Sequence, residues 1–207
     1  MGPPGAGKGT QGALLARRHG IPRYATGDIL REARRENTEL GREAQRYMDA
    51  GELVPDDVIL GMMRDKLSSD EAADGFLLDG FPRTVAQAEG LDALLEDLGQ
   101  ELDAVLSLEV ADEEIVRRLS SRRVCSECGR VAPAGAESHE SCQECGGALK
   151  RRADDEPQTV RRRLEVYREE TAPVLEWYGR SDTPVRTVRG GGSVEEVQAR
   201  IIGAIAA

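Results

Sequence analysis

The chain has 207 residues, 39% of them hydrophobic and 32% charged, enough apolar material for one packed domain with inserted subdomains. Its formal net charge of −10 excludes a general nucleic-acid binder, because no domain-wide basic field exists to collect phosphates. Apolar stretches such as Phe76-Leu77-Leu78 and Ile201-Ile202 are far too short to span a bilayer, and no basic segment followed by an apolar run opens the sequence, so neither a membrane span nor a signal peptide is expected and the expected compartment is the cytoplasm.

Residues 1–9 are rich in Gly and Pro and lead into a helix over 10–18, ended by Gly20 and Pro22. The polar stretch 26–51 predicts two helices, around 28–35 and 40–50. Pro55-Asp56-Asp57 starts another, with acidic residues in its first turn. Phe76-Leu77-Leu78-Asp79 is a short apolar run ending in a carboxylate, the pattern of a buried parallel strand. A helix over 84–98, a strand over 104–108 and a helix over 112–120 follow. Residues 125–145 break the alternation as an insertion would. A long helix is expected over 157–177, a strand over 185–188, and a helix from Ser193 to the end. Strands alternating with helices predict an α/β fold with a parallel sheet flanked by helices.

The most informative stretch is Gly2-Pro3-Pro4-Gly5-Ala6-Gly7-Lys8-Gly9-Thr10. Glycines let backbone N–H groups curl around phosphate oxygens, and the helix that follows points its positive end at the same place. Lys8 adds a mobile point charge for a transferring phosphoryl group. The residue after Lys8 is Gly9, with the hydroxyl one place later at Thr10, so a direct hydroxyl ligand to magnesium is less secure than in the general P-loop pattern. The arginines cluster at 117–118, 122–123, 151–152 and 161–163. Any one pair reads first as a solvated helix face, and Arg17, Arg18 and Arg35 are expected to be just that. Convergence of the others on the phosphate loop would give them a role.

Cys125-Ser126-Glu127-Cys128-Gly129 and Cys142-Gln143-Glu144-Cys145-Gly146 are matched pairs with the spacing of zinc knuckles. Four thiolates from two such turns close a tetrahedral site, so structural Zn2+ is expected at Cys125, Cys128, Cys142 and Cys145. A closed site has no open position for catalysis; the ion would staple a segment too small to own a core. His139 lies between the pairs and is expected to be exposed rather than a ligand.

Residues 2–11 resemble the signature of adenylate kinases, the nucleoside-monophosphate kinases that convert ATP and AMP into two ADP. Asp79-Gly80-Phe81-Pro82-Arg83 with Gln87, and Thr26-Gly27-Asp28 with Arg31, are similar to further motifs of that family, as is Asp154-Asp155-Glu156-Pro157 followed by Val160-Arg161-Arg162-Arg163-Leu164. The resemblance covers essentially the whole chain in the right order. It implies a P-loop kinase core (1–24, 55–120, 157–207), a monophosphate-binding subdomain (25–54) and a zinc lid (121–156). It implies that Gly5, Ala6, Gly7, Lys8, Gly9, Thr10, Arg118, Arg122 and Gly192 bind ATP, with Arg118 stacked on the base. Thr26, Gly27, Arg31, Leu53, Val54, Gly80, Arg83, Gln87, Arg152 and Arg163 would hold AMP, with Arg31 and Arg83 clamping its phosphate and Gln87 reading the adenine edge. Lys8, Arg83, Arg122, Arg152 and Arg163 would stabilise the transferring group, and Asp79 would hold the hydration shell of Mg2+. Some relatives carry a basic residue where this chain has Gly192. The family resemblance also implies a monomer.

The sequence also admits two other readings. One is a kinase for UMP, CMP or GMP, against which Thr26, Gln87 and the long zinc lid argue. The other is a non-catalytic zinc-ribbon module on a degenerate nucleotide fold, against which the intact arginine set argues. One expectation concerns the sheet. A P-loop is normally launched from a buried strand, yet Gly2 directly follows Met1. Loss of such a strand would forfeit an amount rivalling the whole stability of a domain, about 5–15 kcal/mol, and leave two inner strand edges unpaired. The first core strand is therefore expected to be missing here, with further apolar residues upstream in the functional protein.

Overall fold

The computed structural model describes residues 1–132 and 141–206, so His139 lies outside the described residues. Helix α1 (Lys8–His19) is launched from Gly7 at φ 99°, a left-handed position that glycine takes without steric penalty. Strand β1 (Arg23–Ala25) follows, then α2 (Thr26–Arg35) and α3 (Glu39–Ala50), the latter capped by the Thr38 hydroxyl, which accepts from the Gly41 N–H at 3.1 Å. Helix α4 (Asp56–Leu67), strand β2 (Leu77–Asp79), helix α5 (Val85–Leu98), strand β3 (Val105–Glu109) and helix α6 (Asp112–Ser121) complete the alternation.

The insertion opens and closes with a short antiparallel pair, β4 (Val124–Cys125) and β5 (Leu149–Lys150). The long helix expected over 157–177 is divided. Helix α7 (Pro157–Val166) passes through a π-helical turn (Tyr167–Thr171) into α8 (Ala172–Tyr178). Pro173 explains the break, since it has no N–H to return to the carbonyl four residues earlier. Strand β6 (Val185–Arg189) and helix α9 (Val194–Ile205) end the chain, and α9 starts with a reciprocal capping box between Ser193 and Glu196.

The mixed α/β character and the parallel strands are as expected. Strand β1 pairs with β2 (Tyr24 opposite Leu78) and β3 pairs with β6 (Val105 opposite Val185), both in parallel. Among the described residues no strand joins β2 to β3, so the parallel sheet consists of two separate ladders. Among the described residues Met1 meets the inner edge of β3: its carbonyl accepts from the Leu108 N–H at 3.0 Å and its amino group donates to the Leu106 carbonyl.

Two apolar clusters brace the ladders. One packs Leu30, Ile59, Met63, Leu91 and Leu95 from α2, α4 and α5 against Tyr24 and Leu78. The other packs Leu15 of α1 and Val197 and Ile201 of α9 against Leu108 and Val188 of the strands. Thr26, Gly80 and Gly190, each the first residue after its strand, lie beside the phosphate loop: a Cβ on Gly190 would be 3.3 Å from the Ala6 carbonyl, Gly80 lines a cavity with Gly2 and Pro4, and Thr26 donates to the Gly80 carbonyl at 2.8 Å. The carboxyl edge of a parallel sheet is where ligands bind in open α/β folds.

Candidate active site

The loop before α1 turns tightly, with Ala6 N–H donating to the Pro3 carbonyl at 3.2 Å, and it places the N-terminal end of α1 at the carboxyl edge. Lys8 Nζ donates to the carbonyls of Gly2 and Pro3 at 2.7 and 2.9 Å. Burial, reinforced by Arg83, Arg163 and Arg122 and opposed by Asp79, pushes its pKa down to about 7. Thr10 is exposed on the first turn of α1. Asp79, at the end of β2, lies beside the loop: a Cβ built on Gly9 would be 3.6 Å from Asp79 Oδ2. That oxygen accepts from Arg23 Nε and Nη2 at 3.1 and 2.9 Å. Asp79 Oδ1 has no hydrogen-bond donor among the described residues, which leaves one carboxylate oxygen for the water shell of a cation. Arg23 was not singled out from the sequence; nothing in a three-residue strand announces that its first side chain will span to the next strand's last.

A cavity opens between α2, α3 and the loop after β2. Thr26, Gly27, Arg31, Leu53, Val54, Gly80, Arg83, Gln87 and Arg163 all line it. These are the residues expected to hold a monophosphate, with the exception of Arg152. A second cavity, lined by Lys8, Pro4 and Phe81, shares Gly51, Leu53, Gly80, Arg83 and Arg163 with the first. The two therefore meet at a pair of guanidinium groups, with Lys8 on one side and the α2–α3 pocket on the other.

The charge at that junction is only partly compensated: Arg163 pairs with carboxylates, whereas Arg83 forms no ion pair among the described residues. Burial, then repulsion from Arg163 and Arg31, lowers the Arg83 pKa to about 10. Burial, with Arg31 and Arg122, does the same to Arg152, whose Nε is buried without a hydrogen-bond partner among the described residues. Burial and Arg122 and Arg31 also lower Arg163, against the pull of Asp154 and Asp155. A buried guanidinium with an orphaned N–H is matched by an anion rather than by water-free protein. Two carboxylates hold the set in place. Asp155, fully buried, takes Arg122 on both oxygens, one at 2.7 Å, and receives Arg163 Nη1 at 3.3 Å on Oδ1; Asp154 pairs with Arg163 at 3.2 Å. From the sequence both acids were legible only as a hinge motif.

Other expected residues occupy defined places. Arg118 spans the mouth of the loop, donating to the Ala6 carbonyl at 3.3 Å and the Gly190 carbonyl at 2.9 Å while Nε pairs with Glu114 at 2.7 Å. Gly192 lies in the turn after β6, and Arg200 of α9 comes within 3.3 Å of where its side chain would begin. The carboxylate of Glu196 lies nearer still to that point, so the turn at Gly192 is bordered by both an acid and a base of α9. Gln87 is 1% exposed and already half-engaged: its Nε2 donates to Asp56 Oδ1 at 2.7 Å and its Oε1 accepts from the Arg83 N–H at 2.8 Å. One N–H and one lone pair remain for a ligand.

The cysteines come together in two matching turns. The Cys125 and Cys142 carbonyls accept from the Gly129 and Gly146 N–H groups at 3.1 and 2.9 Å. Cys125 Sγ lies 3.4 Å from Cys145 Sγ, Cys128 Sγ lies 3.8 Å from Cys142 Sγ, and the four sulfurs all fall within 4.8 Å of one another. A tetrahedron with Zn–S bonds of about 2.3 Å has sulfur–sulfur edges of about 3.8 Å, so the donor set fits Zn2+. The Cys128 N–H, donating to Cys125 Sγ at 3.5 Å, heads the causes that bring the Cys125 thiol down to about 7.

A family model described as adenylate kinase matches residues 1–183. The chain belongs to the adenylate kinase family. It is 51% identical over 207 residues to the adenylate kinase of Gemmatimonas aurantiaca, covering 99% of this chain and 96% of that one. It is 49% identical over 210 residues to the adenylate kinase of Acidothermus cellulolyticus, covering 99% and 95% of the two chains. With the adenylate kinase of Caldicellulosiruptor bescii it shares 50% identity over 181 residues, 86% of this chain and 84% of the relative. No helix of the described residues is long and apolar enough to cross a membrane.

Proposed function

We propose that the protein moves the terminal phosphoryl group of ATP directly onto AMP, giving two ADP, with AMP in the α2–α3 cavity and ATP on the loop before α1. The observation that carries this reading is the meeting of the two cavities at Arg83 and Arg163, with Lys8 beyond them. Phosphoryl transfer asks the protein for in-line positioning and for compensation of charge on the equatorial oxygens, and planar guanidinium forks supply both. Arg31 and Arg83 hold the AMP phosphate, and Gln87 reads the base. Gly5, Ala6, Gly7, Gly9 and Thr10 wrap the ATP phosphates, while Arg118 and the turn at Gly192 flank its base. Lys8, Arg122, Arg152 and Arg163 neutralise the group in flight. Mg2+ bound with ATP would be held through water by Asp79 Oδ1 and would add to that neutralisation. Zn2+ on the four cysteines would fix the lid, residues 121–156, over a core that also carries the monophosphate part, residues 25–54.

Assay of AMP, UMP, CMP and GMP as acceptors tests the reading: AMP is expected to support ADP formation best. A higher efficiency with a pyrimidine monophosphate or GMP contradicts it.

The lowered pKa of Lys8 has a measurable consequence. Above pH 7 the amine is mostly neutral in the free protein, whereas ATP phosphates favour its charged form. At pH 8 ATP binding should therefore take up close to one proton. Calorimetry in buffers of different ionisation enthalpy reads this directly. A binding enthalpy independent of buffer would show that Lys8 is already charged before ATP arrives.

A further inference from the structure

The Gln87 amide does not choose its own orientation. An amide can present its oxygen and nitrogen either way round, and the two arrangements recognise opposite bases. Here each end faces a group that can play only one part. Carboxylate oxygens accept, and Asp56 Oδ1 takes Nε2–H at 2.7 Å; a backbone N–H donates, and that of Arg83 meets Oε1 at 2.8 Å. Asp56 is itself fixed, because its other oxygen accepts from the Thr84 hydroxyl at 3.0 Å, and the same hydroxyl accepts from the Gln87 N–H at 3.1 Å as the N-cap of α5. Asp56 does not line the cavity, whereas Gln87 does.

We propose that Asp56 is a positioning residue that sets the base preference of the monophosphate site, by locking the Gln87 amide so that it accepts a 6-aminopurine and refuses a 6-oxopurine. The inference rests on the reading of the α2–α3 cavity as the AMP site. Adenine offers a donor at its 6-amino group and an acceptor at N1. The lone pair left on Oε1 and the N–H left on Nε2 match both at once. A 6-oxopurine offers the reverse, an acceptor at O6 and a donor at N1. To meet it the amide would have to turn over, placing Oε1 against the Asp56 carboxylate and the NH2 against the Arg83 N–H. That turn gives up two buried hydrogen bonds, one of them charge-assisted, and sets like against like. Selectivity arises here from a penalty on the wrong base as much as from contacts to the right one.

The test compares AMP with inosine monophosphate in the full-length protein, with ATP and magnesium in excess. Asp56→Asn keeps the shape but lets position 56 donate or accept, so the amide is free to turn. The ratio of kcat/KM for AMP to that for inosine monophosphate should fall by at least about tenfold, mainly through KM. Asp57→Asn removes the same charge from the same helical turn at an exposed side chain and should leave the ratio unchanged. Gln87→Leu should lower the ratio by itself, and adding Asp56→Asn to it should change the ratio no further, since Asp56 acts through Gln87. Asp56→Glu serves the same comparison where the Asn variant does not fold, because its longer arm cannot hold the amide in the same place. A folded Asp56 variant with reduced turnover or melting temperature but the parental ratio overturns the proposal and leaves Asp56 a structural residue. A parent protein that makes no ADP from ATP and AMP overturns the reading of the site instead.

Discussion

Lys8→Ala is expected to lower kcat by about two or more powers of ten while weakening ATP binding much less. The reason is positional. On the proposed reading the loop's backbone N–H groups and the end of α1 would contact ATP phosphates in ground state and transition state alike, so those contacts should survive the substitution. The Lys8 ammonium lines the cavity that adjoins Arg83 and Arg163, where the transferring group would pass. An interaction that strengthens as charge moves onto the transferring oxygens appears in kcat rather than in affinity. Arg122→Ala should show a comparable loss, but it also strips a partner from buried Asp155 and leaves that carboxylate with Arg163. Removing one member of a buried ion pair typically costs about 3–5 kcal/mol of stability, so its kinetics should be read beside a thermal melt. Turnover near that of the parent in the Lys8 variant would remove the lysine from the chemistry.

Zinc removal is expected to produce the largest change in stability. The lid has no apolar core of its own among the described residues; it is held by the pair of cysteine turns together with the ladder β4–β5, two isolated bridges (Val124 with Val131, Ser141 with Ala148) and a surface ion pair between Arg130 and Glu144. Structural zinc sites contribute folding free energy outright. Chelation, or Cys128→Ser, should lower the melting temperature by at least about 5 °C, the shift that roughly 2 kcal/mol produces in a chain of this size. Turnover should fall as well, below the melting range, because Arg122 lies two residues before β4 and Arg152 two residues after β5. Binding of ATP to the loop should persist. An apo-protein that melts at the temperature of the zinc-loaded form would show that the metal does not staple the lid.

What the sequence made legible follows physical rules of short range. The phosphate loop, the cysteine knuckles and the helix starts are local patterns, so their residues could be named before any packing was known. The capping Ser193 and the helix begun at Asp56 are of this kind. Strand β1 was not legible: Arg23-Tyr24-Ala25 has no apolar run, and its only ladder partner among the described residues is β2, more than fifty residues on. The π-helical turn needed Pro173 to be weighed as a break inside an otherwise helical pattern. Asp56 was read correctly as an acid in a first helical turn, which the helix dipole alone would justify. Its second occupation, gripping Gln87 across the α4–α5 contact, depends on how two helices meet. Asp155 is similar, since only the folded lid brings Arg122 and Arg163 to one carboxylate. That β2 and β3 share no ladder among the described residues is a matter of long-range pairing, which no local pattern announces.

Direct transfer between two nucleotides through the junction at Arg83 and Arg163 fixes the fate of the terminal phosphorus of ATP. The most direct test follows the terminal phosphorus of ATP, labelled at the γ position, in the presence of AMP and magnesium. The label should reappear as the β-phosphoryl group of ADP, with two ADP formed for each AMP consumed and no matching release of inorganic phosphate. Label recovered as free phosphate, or ADP formed at the same rate without AMP, would contradict the account.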